Sequence, residues 1–253
     1  MINFAFPALT AVDGLLAPYV SALVRVLAWG AVAGALAMYV YRVASNQNAI
    51  ARLKAETREL RRRMLDPDLE QSEFARLIRK NLKASFKLLG KTLLPALLSA
   101  LPVLLIAAWM DTFYGYSLPP KGEAVRVHAE PREVALAIEP ADTVAGAAGN
   151  DLTVTPPSAG ETLTIIASGA VAYVGNPFVP PVPVVAKRQW WNVLLASEAG
   201  YVKPDASIDN IFIDLPRRRF IGTLPEWFAG WEAPYFLAIL VVALALKFGL
   251  KIE

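Results

Sequence analysis

His128 is the chain's only histidine and cysteine is absent, so the side chains behind most hydrolytic, redox and transition-metal chemistry are missing. Without cysteine there is no thiol nucleophile, iron–sulfur ligand, disulfide or cysteine zinc site. A single histidine excludes a multi-histidine metal cluster and leaves a triad one base, with no serine-nucleophile motif beside it. In the alternating run Val125, Arg126, Val127, His128 it falls opposite the valines, a solvent-facing position. Asp205, Asp209 and Asp214 are irregularly spaced and lack the glycine and closing glutamate of a calcium loop. The expectation is a protein with no catalytic residue, no metal and no cofactor.

The cationic side chains carry what chemistry remains. Arg25 is the only charge in an apolar stretch from about Leu15 to Tyr41, and a charge at the centre of a bilayer costs roughly 2.5–3.5 kcal/mol on insertion scales. It lies near enough to one end of that stretch to snorkel to headgroups. Residues 44–92 hold twelve Lys and Arg against six Asp and Glu, with Arg61, Arg62, Arg63, Arg76, Arg79, Lys80 and Lys83 as docking candidates. Two readings stand for this stretch: a basic solvated helix resting on anionic headgroups, or a docking surface for a ribosome, a nascent chain or a partner subunit. Basic charge attracts RNA as readily as lipid, so charge alone does not choose; no specific nucleic-acid binding is expected. Arg217, Arg218 and Arg219 form a second cluster, which either contacts headgroups or pairs with nearby acids. Trp190 and Trp191, beside Lys187 and Arg188, offer a ligand or lipid contact, or one buried and one interfacial ring.

The elements that must position these groups are those of a membrane protein. Of 253 residues, 55% are hydrophobic, and three apolar stretches are read as spans, the last of them, about 14 residues, shorter than the usual crossing. The first is 15–41, the second Leu93 to Met110 with Pro95 and Pro102 inside, and the third Ala233 to about Leu246. Trp227, Trp231 and Tyr235 extend the last as an aromatic belt, while Lys247 and Lys251 snorkel at its far end. The basic 44–92 connection belongs in the cytoplasm by the positive-inside rule, which puts the N-terminus outside and the C-terminus inside. Met1 to Asp13 is left either as an interfacial segment or as an unstructured tail.

Ile50, Leu53, Thr57, Leu60 and Met64 form a seam spaced by threes and fours. Asp66 can cap a returning helix with Pro67 at its first position, closing a hairpin; Phe74, Leu77, Ile78 and Leu82 make that helix's apolar face. Residues 113–222 switch to period-two patterning with frequent proline, and hold nine bases against eleven acids. Strands are predicted at 124–129, 133–138, 151–155, 162–167, 170–174 and 210–215, with 179–185 an extended segment or edge strand. The fold expected is three transmembrane helices with a cytoplasmic helical hairpin, plus an external all-β domain of sandwich type. Its divisions are 1–43, 44–92, 93–111, 112–225 and 226–253.

The order of parts resembles the YidC-type insertase superfamily, in particular the small archaeal YidC-like proteins and the third subunit of the endoplasmic-reticulum membrane complex. The resemblance lies in the basic run from Phe74 to Lys91 flowing into the apolar, proline-containing run from Leu93 to Trp109. It lies also in the ending from Glu226 to Leu240, led by Trp227 and Trp231. Together these cover about half the chain. The β domain is a departure, because the small members join those helices by a short segment. The resemblance implies a non-enzymatic insertase or assembly chaperone in a prokaryotic cytoplasmic membrane, with a hydrophilic groove among three helices that Arg25 would line. Its partners would be the lipid bilayer and either membrane-protein clients or, in the alternative of a structural or accessory subunit, the fixed members of a larger complex.

Overall fold

The computed structural model describes residues 2–66, 69–120, 122–158, 160–190, 192, 197–222 and 225–250. Pro67, Lys121, Trp191 and Lys251 lie outside the described residues, as do the side chains of Glu226 and Trp227. The helices are α1 (Phe6–Leu16), α2 (Ala22–Ala44), α3 (Gln47–Met64), α4 (Gln71–Tyr114), α5 (Glu226–Ala229) and α6 (Glu232–Gly249). Three of them, α2, α4 and α6, are long and apolar enough to cross a membrane. The chain divides into two compact units, Met1–Arg25 with Ala107–Ala233, and Val26–Ile106 with Pro234–Glu253.

The first unit opens with a 3-10 turn over Ile2–Ala5 and then α1, which has Pro7 in its first turn, where its missing N–H costs nothing. The apolar stretch expected to be one span from Leu15 is broken: α1 stops at Leu16 and α2 starts at Ala22. Pro18 accounts for the break, since it has no N–H to donate to the carbonyl one turn back and its ring crowds that carbonyl. The Ala17 N–H closes α1 on the Asp13 carbonyl at 2.9 Å.

The rest of this unit is antiparallel β structure: β1 (Val125–Glu130), β2 (Leu136–Glu139), β3 (Val144–Ala148), β4 (Asp151–Val154), β5 (Leu163–Ala167), β6 (Ala170–Gly175), β7 (Val184–Ala186) and β8 (Asn210–Ile213). One sheet has the order β3-β4-β1-β8-β7 and the other β2-β5-β6. Both feed a single core: Val127, Leu152 and Ile211 from the first meet Ile138, Leu163 and Ile165 from the second. Strict alternation in β1 and β5, whose inward residues are apolar, makes this possible. Tyr173 joins the core and donates its hydroxyl to the Ala199 carbonyl at 2.6 Å. Burial pushes the phenol up to about 12.

In the second unit the seam foreseen on α3 is the side that loses solvent. Ile50 and Thr57 are buried, and Leu53, Leu60 and Met64 half-buried. Asn46 caps α3 by accepting from the Ala49 N–H at 3.0 Å. On α4 the apolar face and the covered side differ. The face named from Phe74, Leu77, Ile78 and Leu82 buries only Leu77; the covered stripe runs through Leu77 and Ala84, with Asn81 half-buried between them. The helix also begins at Gln71, later than a cap at Asp66 would give.

The span expected to be shortest, α6, has 18 residues, about 27 Å by helical rise. It packs on α2 through two glycines. A side chain at Gly30 would meet the Tyr235 carbonyl oxygen at 2.5 Å and the Ala238 β-carbon at 2.9 Å; one at Gly34 would meet the Ile239 backbone at 3.0 Å. This Gly-x-x-x-Gly spacing lets two backbones touch, the usual way apolar helices associate in lipid. Because Gly30 faces Tyr235 and Gly34 faces Ile239, α2 and α6 run in the same direction. Tyr235 also donates its hydroxyl to the Val103 carbonyl of α4 at 2.8 Å, so α6 touches both other spans.

Candidate functional site

The polar centre of the first unit is built by the turn at Pro18, which brings α1 back against the start of α2. Asp13 and Arg25, twelve residues apart in sequence, form an ion pair with side chains 12% and 11% exposed. The Tyr114 hydroxyl donates to the other Asp13 oxygen at 2.6 Å, so both carboxylate oxygens are used. The Arg25 guanidinium lies 5.4 Å from the Tyr114 ring centroid. Around this pair is an aromatic wall: Trp109 packs on Tyr114 and Phe113, and donates its indole N–H to Thr10 at 2.9 Å. Arg25, expected to line a hydrated groove or to snorkel to headgroups, pairs with an acid of its own chain.

A second arginine reaches the same ring. Residues 115–117 run antiparallel to 216–218: the Ser117 N–H donates to the Pro216 carbonyl at 3.0 Å and the Arg218 N–H to the Gly115 carbonyl at 3.0 Å. This pairing delivers Arg217, Arg218 and Arg219 to the end of α4. Arg218 stacks over Tyr114 at 5.4 Å and Phe220 at 5.3 Å, and Arg217 lies 6.0 Å from the Tyr116 ring. Arg219 donates to the Gly222 carbonyl at 3.1 Å. Stacking on rings fixes a guanidinium plane without consuming its charge. Asp13 neutralises one of the two guanidinium groups at Tyr114, so the cluster carries an excess positive charge.

Beside the arginines is a cavity of about 340 Å³ lined by Gly115, Pro216, Arg217, Arg218, Arg219, Gly230 and Glu232. The Glu232 carboxylate lies directly over Gly230, in the space a side chain there would take.

The remaining foreseen residues are dispersed. Trp190 is 84% exposed, and its neighbour Trp191 is among the residues not described. Trp231 is buried. Arg61, Arg62, Arg63, Arg76, Arg79, Lys80 and Lys83 are all exposed; Arg63 pairs with Glu59 one turn earlier at 3.0 Å. His128 is half-buried and stacks on Phe212 across the strand pair, with centroids 5.1 Å apart. Asp209 pairs with Lys187 at 3.1 Å. Among the described residues no group of three or more His, Asp or Glu could hold a metal ion.

Sequence reasoning missed Asp13, Tyr114, Phe220, Gly30, Gly34 and Glu232. Two of the signals were present: Asp13 is the only acid before Glu56 and Arg25 the first base, and glycines four apart in an apolar run are a packing motif. Comparison with known proteins finds no family model, no curated protein and no solved structure that matches the chain.

Proposed function

We propose that the protein is a non-enzymatic membrane-protein insertase or assembly chaperone of the YidC-like kind, set in a prokaryotic cytoplasmic membrane with α3 and the first half of α4 on the cytoplasmic side. The observation that supports this reading is α4. Its 44 residues make a rod of about 66 Å, roughly twice the hydrocarbon core, so half of it is free to work outside the bilayer. That half exposes Phe74, Ile78, Leu82, Phe86 and Leu89 as an apolar stripe leading into the span, bordered by the exposed Arg76, Arg79, Lys80, Lys83 and Lys87. An apolar track with basic edges suits hydrophobic segments that arrive with acidic flanks or on a ribosome.

A photo-crosslinker placed at Leu82 or Phe86 in membranes during translation should capture many newly made membrane proteins, and capture of none sinks the proposal. A second reading, a structural subunit that docks through the β domain, is favoured by the closed Asp13–Arg25 pair and the direct contact of α2 with α6. Under that reading the same crosslinkers capture one stoichiometric partner, which also co-purifies in mild detergent.

A further inference from the structure

The cavity next to the arginine cluster has three properties that together define a ligand. The first is charge of both signs. Among the described residues, no carboxylate pairs with Arg217 or Arg218, and no base pairs with Glu232. Yet all three side chains line one space. The second is preorganisation of the basic side: Arg217 and Arg218 are steered by Tyr116, Tyr114 and Phe220, and the Glu232 carboxylate lies beside Gly230 in the same space. The third is position. Gly115 directly follows α4 and Glu232 opens α6, so the space adjoins the ends of two candidate membrane spans, the depth at which headgroups lie. Asp111, on the last turn of α4, is near enough to Glu232 and Arg217 to feel both charges.

We propose that this cavity binds the zwitterionic headgroup of an aminophospholipid, with the phosphate on Arg217 and Arg218 and the primary ammonium on Glu232. Guanidinium groups bind phosphate oxygens through paired N–H donors, and a carboxylate accepts from an ammonium. A purely anionic headgroup would leave Glu232 facing negative charge, and a purely cationic ligand would face the arginines. The volume falls at the small end of ligand sites, about 300–1,000 Å³, which suits a headgroup whose acyl chains stay in the bilayer. The same phosphate-plus-ammonium chemistry exists in soluble phosphoethanolamine, and the lipid is the source that the position beside the spans favours.

Native mass spectrometry of the delipidated full-length protein tests this, with dioctanoyl phosphatidylethanolamine, dioctanoyl phosphatidylglycerol and free phosphoethanolamine as probes. The wild type should take up one phosphatidylethanolamine about tenfold more tightly than phosphatidylglycerol, the discrimination expected at the low end of a hydrogen bond to a charged group. Arg217→Gln should weaken both lipids, whereas Glu232→Gln should weaken phosphatidylethanolamine alone and erase the preference. Arg217 is exposed and Glu232 half-buried at the cavity, so neither change depends on disturbing the Tyr114 stack. Equal binding of the two lipids by the wild type overturns the proposal, as does a preference that survives Glu232→Gln. Phosphoethanolamine binding as tightly as the lipid overturns the lipid as the source.

Discussion

Arg25 and Gly30 are little more than a turn apart on α2, and what surrounds each differs in kind. Arg25 is held by groups it attracts: the Asp13 carboxylate and the Tyr114 ring, which also carries Arg218. Gly30 is held by what it lacks, since the Tyr235 backbone fills the space a side chain would take. A charge cluster is specific but expensive to break, because each member has been taken out of water on the strength of the others. A glycine contact has no partner to strand; it fails by collision and in proportion to the added volume. The comparison implies that damage at Arg25 is repairable by removing the partner as well, whereas damage at Gly30 is not.

The largest effect should come from Asp13→Ala, which leaves the Arg25 charge enclosed and unpaired. Breaking such a pair from one side costs about 3–5 kcal/mol, read as a lowered thermal unfolding midpoint of the full-length protein in detergent. Replacing both, as Asp13→Leu with Arg25→Met, should recover most of that loss. If the double variant is as unstable as the single one, Arg25 is not held by the pair and the comparison fails.

Next in size is Gly30→Val. Overpacking of this kind costs about 1–3 kcal/mol, and Gly34→Ala should cost less, because its clearances of 3.0 and 3.1 Å exceed the 2.5 Å at Gly30. Disulfide crosslinking between cysteines introduced near positions 30 and 238 should fall in Gly30→Val and persist in Gly34→Ala. An unchanged yield in Gly30→Val would show that α2 and α6 do not rely on these glycines.

The two regions were also unequally legible in the sequence. Period-two runs such as Leu163–Ala167 named their own strands, because both faces of a core strand are set by local chemistry. Val144–Ala148 did not: Val-Ala-Gly-Ala-Ala has no alternation to read, and it forms an edge strand through its partner β4. Seam residues on α3 could be read because one helix side suffices to define them, but the covered side of α4 depends on what covers it. Leu77 and Ala84 are chosen by packing over the larger Phe74 and Leu82. Arg25 was found as an anomaly, while its environment required knowing that the chain folds back at Pro18. Tyr114, 101 residues from Asp13, gave no local sign of the contact.

A smaller effect should follow Tyr114→Phe, which removes one donor to Asp13 and keeps the ring beneath both arginines. A hydrogen bond to a charged group is worth about 1.5–3 kcal/mol, and the lower end is expected because the Arg25 contact remains. If Tyr114→Phe equals Asp13→Ala, the hydroxyl rather than the guanidinium is what holds the carboxylate.

The smallest effect is expected at the β domain's own arginine–carboxylate pair, and it sharpens the comparison by changing only exposure. Arg126 donates to both oxygens of Asp151, at 3.2 and 2.8 Å. Both groups face water, and the Arg126 hydrogen bonds hold the Asp151 carboxyl below its ordinary range. A carboxylate with a depressed native pKa contributes stability above its unfolded value, near 3.9, and loses it as the pH falls through the native one. Wild type and Asp151→Asn should therefore differ slightly at neutral pH and converge well below about pH 4. Solvent already screens the pair, so 0.5 M salt should erase even the neutral-pH difference. The Asp13→Ala deficit should survive the same salt, since ions do not reach an enclosed charge. A salt-sensitive Asp13→Ala deficit would mean that water enters the Arg25 cluster, and the distinction between the buried pair and the exposed one would be lost.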